Sequence, residues 1–140
     1  MRKNLVLVRH GKAMPLSEGQ QDIDRPLSEA GIRSLKASFP RQLSMLGKEM
    51  PSVEIWSSPA LRALQTAELL TSALGKHKIY IGDAIQEHTS LWNQDEDAFL
   101  SELSECEADT VFAVGHNPYC RRLAPLCYGR PCLSIGFFRR

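Results

Sequence analysis

The 140-residue sequence contains no apolar run close to the roughly 18 residues that a membrane-spanning helix needs. Arg2 and Lys3 are followed by only a short apolar run, Leu5 to Val8, before Arg9 interrupts it. The amino terminus therefore reads as a strand and not as an export signal. The four cysteines, Cys106, Cys120, Cys127 and Cys132, include no C-x-x-C pair, so the usual zinc and redox spacings are absent. Without an export signal they read as thiols of a reducing cytosol, and a cytoplasmic protein is expected. Nor is there an excess of charge. A formal net charge of +1 provides no general basic field for nucleic acid or an acidic membrane, so neither is expected as a partner. Any anion site must be local. The acidic residues form no cluster suited to magnesium, and no repeat or low-complexity segment is present.

What remains is an ordinary globular composition, 43% apolar and 24% charged, in a length suited to one domain spanning 1–140. Leu5-Val6-Leu7-Val8 reads as a strand buried on both faces, and it stops at Arg9-His10-Gly11. Thr110-Val111-Phe112-Ala113-Val114 ends in the same manner, at Gly115-His116-Asn117-Pro118. In an open α/β sheet, ligands bind beyond the carboxyl ends of the strands, which is where both histidines would stand.

Between these strands the polar stretch 12–24 reads as a loop. Ser28 is a fitting N-cap for a helix with Ala30, Ile32, Leu35 and Phe39 inward, and Pro40 should break or kink it before a second segment over 41–46. A strand is expected over 53–56. Ser57-Ser58-Pro59 predicts a helix entry with serine as the cap and proline in the first helical position. That helix buries Ala60, Ala63, Leu64, Ala67, Leu70 and Leu74 and ends at Gly75. A short strand over 78–81, an irregular stretch over 82–92 and a helix over 95–106 follow. Pro118 should open a last helix with Leu123, Leu126 and Cys127 inward, Cys120 and Cys127 lying two turns apart on one face. Strands alternating with helices imply an α/β protein, a three-layer sandwich whose central, mostly parallel sheet is flanked by helices.

If Arg9, His10, Arg62 and His116 meet at one end of that sheet, they suit a phosphoryl group. Arg62 falls in the first turn of the helix after Pro59, where free backbone amides also favour an anion. Guanidinium forks match phosphate oxygens in a way an ammonium does not. Positive neighbours disfavour an imidazolium and keep His10 neutral, hence nucleophilic, while His116 can donate to a phosphoryl oxygen. His77 and His88 sit in no motif and read as structural, and Trp56 and Trp92 read as packing.

Three blocks in this order resemble the histidine phosphatase superfamily, with its phosphoglycerate-mutase-like fold: Arg9-His10-Gly11; Ser57-Ser58-Pro59-Ala60-Leu61-Arg62 with Gln65-Thr66-Ala67; and Gly115-His116-Asn117-Pro118. The small size and the stretch Asp24-Arg25-Pro26-Leu27-Ser28 are similar to its SixA branch, the phosphohistidine phosphatases. The resemblance implies that His10 carries the covalent phosphoryl intermediate and that Arg9, Gly11, Arg62 and His116 form the phosphate pocket. It adds Arg25 as a further pocket residue and Glu87 as the proton donor. It implies no metal and no cofactor. Family members continue with a further strand where this sequence stops at Arg140, so a short last strand or an exposed sheet edge is expected at the carboxyl end.

Three readings of function follow. The first is a metal-independent phosphatase acting on phosphohistidine in a partner protein. The second is a phosphatase of a small phosphorylated metabolite, which would call for extra chain to enclose its ligand. The third is a non-catalytic phosphate-binding regulatory module, which an altered first-motif histidine would favour; His10 is intact.

Overall fold

The computed structural model describes residues 2–46, 50, 52–79, 81–82, 84–116, 127–130 and 133–139. In chain order the elements are β1 (Arg2–Arg9), α1 (Glu29–Ser44), β2 (Val53–Ser57), α2 (Leu61–Lys76), β3 (Gln86–Glu87), α3 (Thr89–Asn93), α4 (Glu96–Glu105), β4 (Thr110–Gly115), β5 (Cys127–Arg130) and β6 (Leu133–Arg139), with a 3-10 turn at Asp22–Asp24 before α1. The strands form one sheet in the order β3-β2-β4-β1-β6-β5. The first four are parallel; β6 runs antiparallel to β1 from Arg2↔Arg139 to Val8↔Leu133, and β5 closes a hairpin on β6. The expected α/β sandwich with a mostly parallel sheet is what the chain forms.

Alternation along the strands explains the layers. Val6, Val8, Ile55, Phe112 and Val114 face α1 and α2, where they pack with Leu35, Phe39, Leu43, Ala67, Leu70 and Leu74. Their neighbours Leu5, Leu7, Trp56, Val111 and Ala113 point to the opposite face, against Leu91, Phe99 and Leu103 of α3 and α4. A strand apolar at every position can be buried on both sides only if helices cover both.

Several local expectations need correction. Pro40 does not break α1, which runs through it. The proline is exposed while Phe39 and Leu43 are buried, so the apolar face holds the helix together and the missing hydrogen bond falls on the solvent side. Of the expected inward stripe, Ala30 is exposed, and the buried row is Gly31, Leu35, Phe39 and Leu43, spaced by four.

Helix α2 begins later than Pro59, with Ala60 as N-cap and no side-chain cap. Ser58 instead turns its hydroxyl to His116. At the far end Gly75 is not the stop: Lys78 takes the left-handed conformation (φ 60°). There Lys78 N donates to the Gly75 carbonyl and Ile79 N to the Leu74 carbonyl, each at 3.0 Å, the pair that closes a Schellman motif. That turn consumes residues 78 and 79, and the strand expected over 78–81 is absent among its described residues. The edge strand is β3, inside the stretch expected to be irregular, which also holds α3. Cys127 opens β5, so it does not share a helix face with Cys120. The helix expected from Pro118 otherwise lies outside the described residues.

Candidate active site

Parallel pairing aligns the ends of β1 and β4, Arg9 opposite Gly115, and His10 N donates to the Gly115 carbonyl at 3.1 Å. The next residues on the two strands are then His10 and His116, whose ring centroids lie 4.9 Å apart with the planes tilted by 60°. β2 ends beside them. Ser58 N donates to the Val114 carbonyl at 2.9 Å, and its Oγ lies 2.8 Å from His116 Nε2.

Helix α2 supplies the third wall. Arg62, in its first turn and only 6% exposed, directs Nε at His10 Nε2 over 3.4 Å. One turn on, Thr66 Oγ1 donates to the Arg62 carbonyl (2.8 Å) and accepts from Gly11 N (3.1 Å), tying the first loop to the helix. Two glycines permit this closeness. A Cβ on Gly11 would meet Leu35 Cδ1 at 2.7 Å, and one on Gly31 would meet the Lys12 carbonyl oxygen at 2.3 Å.

The electrostatics follow from burial among cations. His10 Nδ1 lies 2.7 Å from the Gly11 carbonyl, so Nδ1 carries the proton and Nε2 the lone pair. Burial holds the His10 ring below the usual histidine range; the bond to Gly11 opposes this, and the charges of Arg62, Arg9 and Arg25 add to it. His116 is pushed down to about 4, by burial first, then by His10 and Arg62, with Asp22 opposing. Both rings are neutral near pH 7.

Asp22, on the 3-10 turn, escaped the sequence reading. Its carbonyl accepts from Arg62 Nη1 at 2.7 Å and its Oδ2 from Nη2 at 3.1 Å, while Oδ1 accepts from Arg25 Nη1 at 2.9 Å. Arg25, bonded above all, and Arg62 hold its carboxyl below the ordinary aspartate range, although burial opposes them. An acid three residues before Arg25 was the signal available.

Trp92 was read as packing, yet it stands at the site. Its ring lies 5.3 Å from that of His116, edge to face, and 5.7 Å from the Arg62 guanidinium carbon. Gln94, left-handed at φ 57°, joins it there. His88 anchors this segment by stacking on Trp56 at 3.9 Å and bonding Glu102 at 2.6 Å.

These side chains frame two adjoining cavities. One of about 470 Å³ is lined by His10, Asp22, Arg62, Trp92, Gln94 and His116. The other, about 760 Å³, runs along Arg9, His10, Gly11, Lys12, Ala13, Arg25 and Arg62 to the start of α1. The residues singled out from sequence are thus divided: His116 lines the first, Arg9, Gly11 and Arg25 the second, and His10 and Arg62 stand between them. Glu87 lines neither. It is exposed on β3, opposite Ser57.

A buried arginine, a helix start and two neutral histidines at the carboxyl ends of parallel strands have the chemistry to hold an oxyanion. The chain belongs to the histidine phosphatase superfamily (branch 1), whose model matches residues 5–105. Within that family its likeness is to the SixA type. The crystal structure of a candidate phosphohistidine phosphatase SixA from Agrobacterium tumefaciens superposes with a TM-score of 0.70 at 27% identity, over 89% of this chain and 76% of that one. The fold is also that of the protein histidine phosphatase SixA complexed with tungstate, at a TM-score of 0.65 and 21% identity, covering 92% and 80% of the two chains. An uncharacterized protein of Picosynechococcus sp. is 36% identical over 118 residues, 81% of this chain; the match spans 66% of that relative's length.

Proposed function

We propose that this protein is a phosphatase that removes the phosphoryl group from phosphohistidine on another protein, through a covalent intermediate on His10. The observation that carries the reading is the state of His10: neutral, its Nδ1 proton fixed on the Gly11 carbonyl, and its Nε2 facing Arg62.

In the first step the Nε2 lone pair attacks phosphorus, and the bond from phosphorus to the substrate's ring nitrogen breaks, its electrons leaving with a ring that carries a proton on its other nitrogen and so departs as neutral imidazole. Water then adds to phosphorus; His10 Nε2 departs with its electron pair, and inorganic phosphate is released with the water's protons. Arg62 and Arg9 hold the equatorial oxygens, with Arg25 beyond them and the Gly11 turn keeping the backbone close. Ser58 Oγ, 2.8 Å from His116 Nε2, fixes that ring beside His10, where it serves as a donor to the phosphoryl group. A phosphohistidine leaves readily as a ring that can be protonated, so an exposed Glu87 is needed only for alkoxide leaving groups. The exposure of Arg9 and half-burial of His10 suit a substrate carried on a macromolecule. SixA's capture of tungstate, a tetrahedral oxyanion, supports the same chemistry.

The test is phosphate release from a phosphohistidine protein and from a phosphoserine peptide, each with and without a chelator, for the wild type and His10→Ala. Chelator-insensitive release from phosphohistidine alone, lost in the variant, is the expected result. Equal activity in His10→Ala would overturn the mechanism.

A further inference from the structure

The larger cavity is built almost entirely from one sign of charge. Arg9, Lys12, Arg25 and Arg62 line it beside Ser34 and the first turn of α1, and no carboxylate is among its lining residues. Asp22, whose carboxylate pairs with Arg25 and Arg62 from the wall of the other cavity, leaves Arg9 and Lys12 as the cations it does not touch. With a net charge of only +1, these cations are not the local share of a general excess. A single phosphoryl group held at His10 by Arg62 and Arg9 leaves most of the roughly 760 Å³ unused, and that volume is in the range of pockets that enclose whole ligands. Lys12 is the cation the phosphoryl chemistry does not call on. It follows Gly11, is exposed, and reaches the cleft from the loop that leaves the nucleophile.

The same loop continues past Ala13 into Met14 and Leu16, exposed to 45% and 56%. The Met14 carbonyl accepts from Arg25 Nε at 2.8 Å, so the loop that carries these exposed apolar residues runs next to the basic wall. A small phosphorylated metabolite has no use for an apolar rim outside its pocket, whereas a polypeptide covers one as it docks. We infer that the cleft beside His10 binds acidic side chains flanking the phosphorylated residue of a protein substrate, with Lys12 as the residue that selects for them. This rests on the phosphatase reading only for the alignment of the phosphorylated residue on His10.

The test uses the intact protein and two phosphohistidine peptides, flanked by glutamates or by glutamines, together with their unphosphorylated forms. The glutamate-flanked peptide should be turned over with about tenfold higher kcat/KM at low salt, the sum of a few exposed ion pairs. That preference should shrink as sodium chloride is raised. Lys12→Gln should reduce it about threefold, and Lys12→Glu should remove it, both leaving kcat on the glutamine-flanked peptide unchanged. Binding that prefers the acidic peptides, without hydrolysis of either, would remove the phosphatase reading and uphold the acidic cleft. Hydrolysis without acid preference, or a preference that Lys12→Glu leaves intact, would overturn the inference and spare the phosphatase reading.

Discussion

His10 and His116 occupy equivalent places, each the first residue beyond its strand, on neighbouring parallel strands, yet the structure gives them different chemistry. His10 is half-buried, turns Nδ1 onto its own loop and presents Nε2 to Arg62. His116 is 6% exposed, packed by Trp92 and tied through Nε2 to Ser58. Position at the end of a strand therefore brings a histidine to the site. The hydrogen bond on its second nitrogen determines which atom remains free, and so which role is open to it.

The largest effect that would sharpen this contrast is on His10. His10→Ala should abolish turnover and covalent phosphate capture, read by labelling quenched in alkaline denaturant, in which a phosphoryl–histidine bond survives, whereas His116→Ala should still be labelled. Next, Arg62→Ala and His116→Ala should each lower the rate by about 10²–10³, the cost of one lost donor to the reacting group, in steady-state assays. A labelled His116 in the His10 variant would collapse the distinction.

A further difference lies in acid. His116 has a folded value of about 4, below its ordinary 6.5, so between these the unfolded chain binds more protons than the folded one. Its contribution to stability is fully present above about pH 6.5 and is lost as pH falls toward 4, a total on the order of 3 kcal/mol. Denaturant midpoints for His116→Gln should show a correspondingly flatter decline across that window. The smallest effect is expected at Asp22, whose carboxylate occupies Arg62 where an oxyanion would bind. Asp22→Asn should tighten inorganic phosphate binding about twofold to fivefold by calorimetry, in keeping with an exposed ion pair. Weaker binding would show instead that Asp22 orients Arg62.

Much of this arrangement is legible in the sequence where burial dictates residue type. The continuous apolar runs of β1 and β4 announce strands covered on both faces, and the polar residues that end them mark the site. Pairing registers and turns are less legible. Pro40 obeys the buried row beneath it in place of its own propensity, and Lys78 takes a left-handed stop that glycine would have advertised three residues earlier. Asp22 and Trp92 reach the site through the paths of a loop and a short helix. No periodicity records such paths, so contacts between distant segments had to be seen in three dimensions.

Gly31 has a consequence for anyone engineering this protein. A glycine near the start of a 16-residue helix invites replacement by alanine, which in an exposed helix interior gains roughly 1 kcal/mol. Here the added methyl would arrive 2.3 Å from the Lys12 carbonyl oxygen, the same atom that accepts from Ser28 N at 2.8 Å and Ser28 Oγ at 3.0 Å. Displacing it would unseat the helix cap and the backbone next to Gly11 together. Thermostabilising schemes that score each helix by itself would favour the substitution and lose the pocket, so this position belongs among the residues held fixed in any redesign.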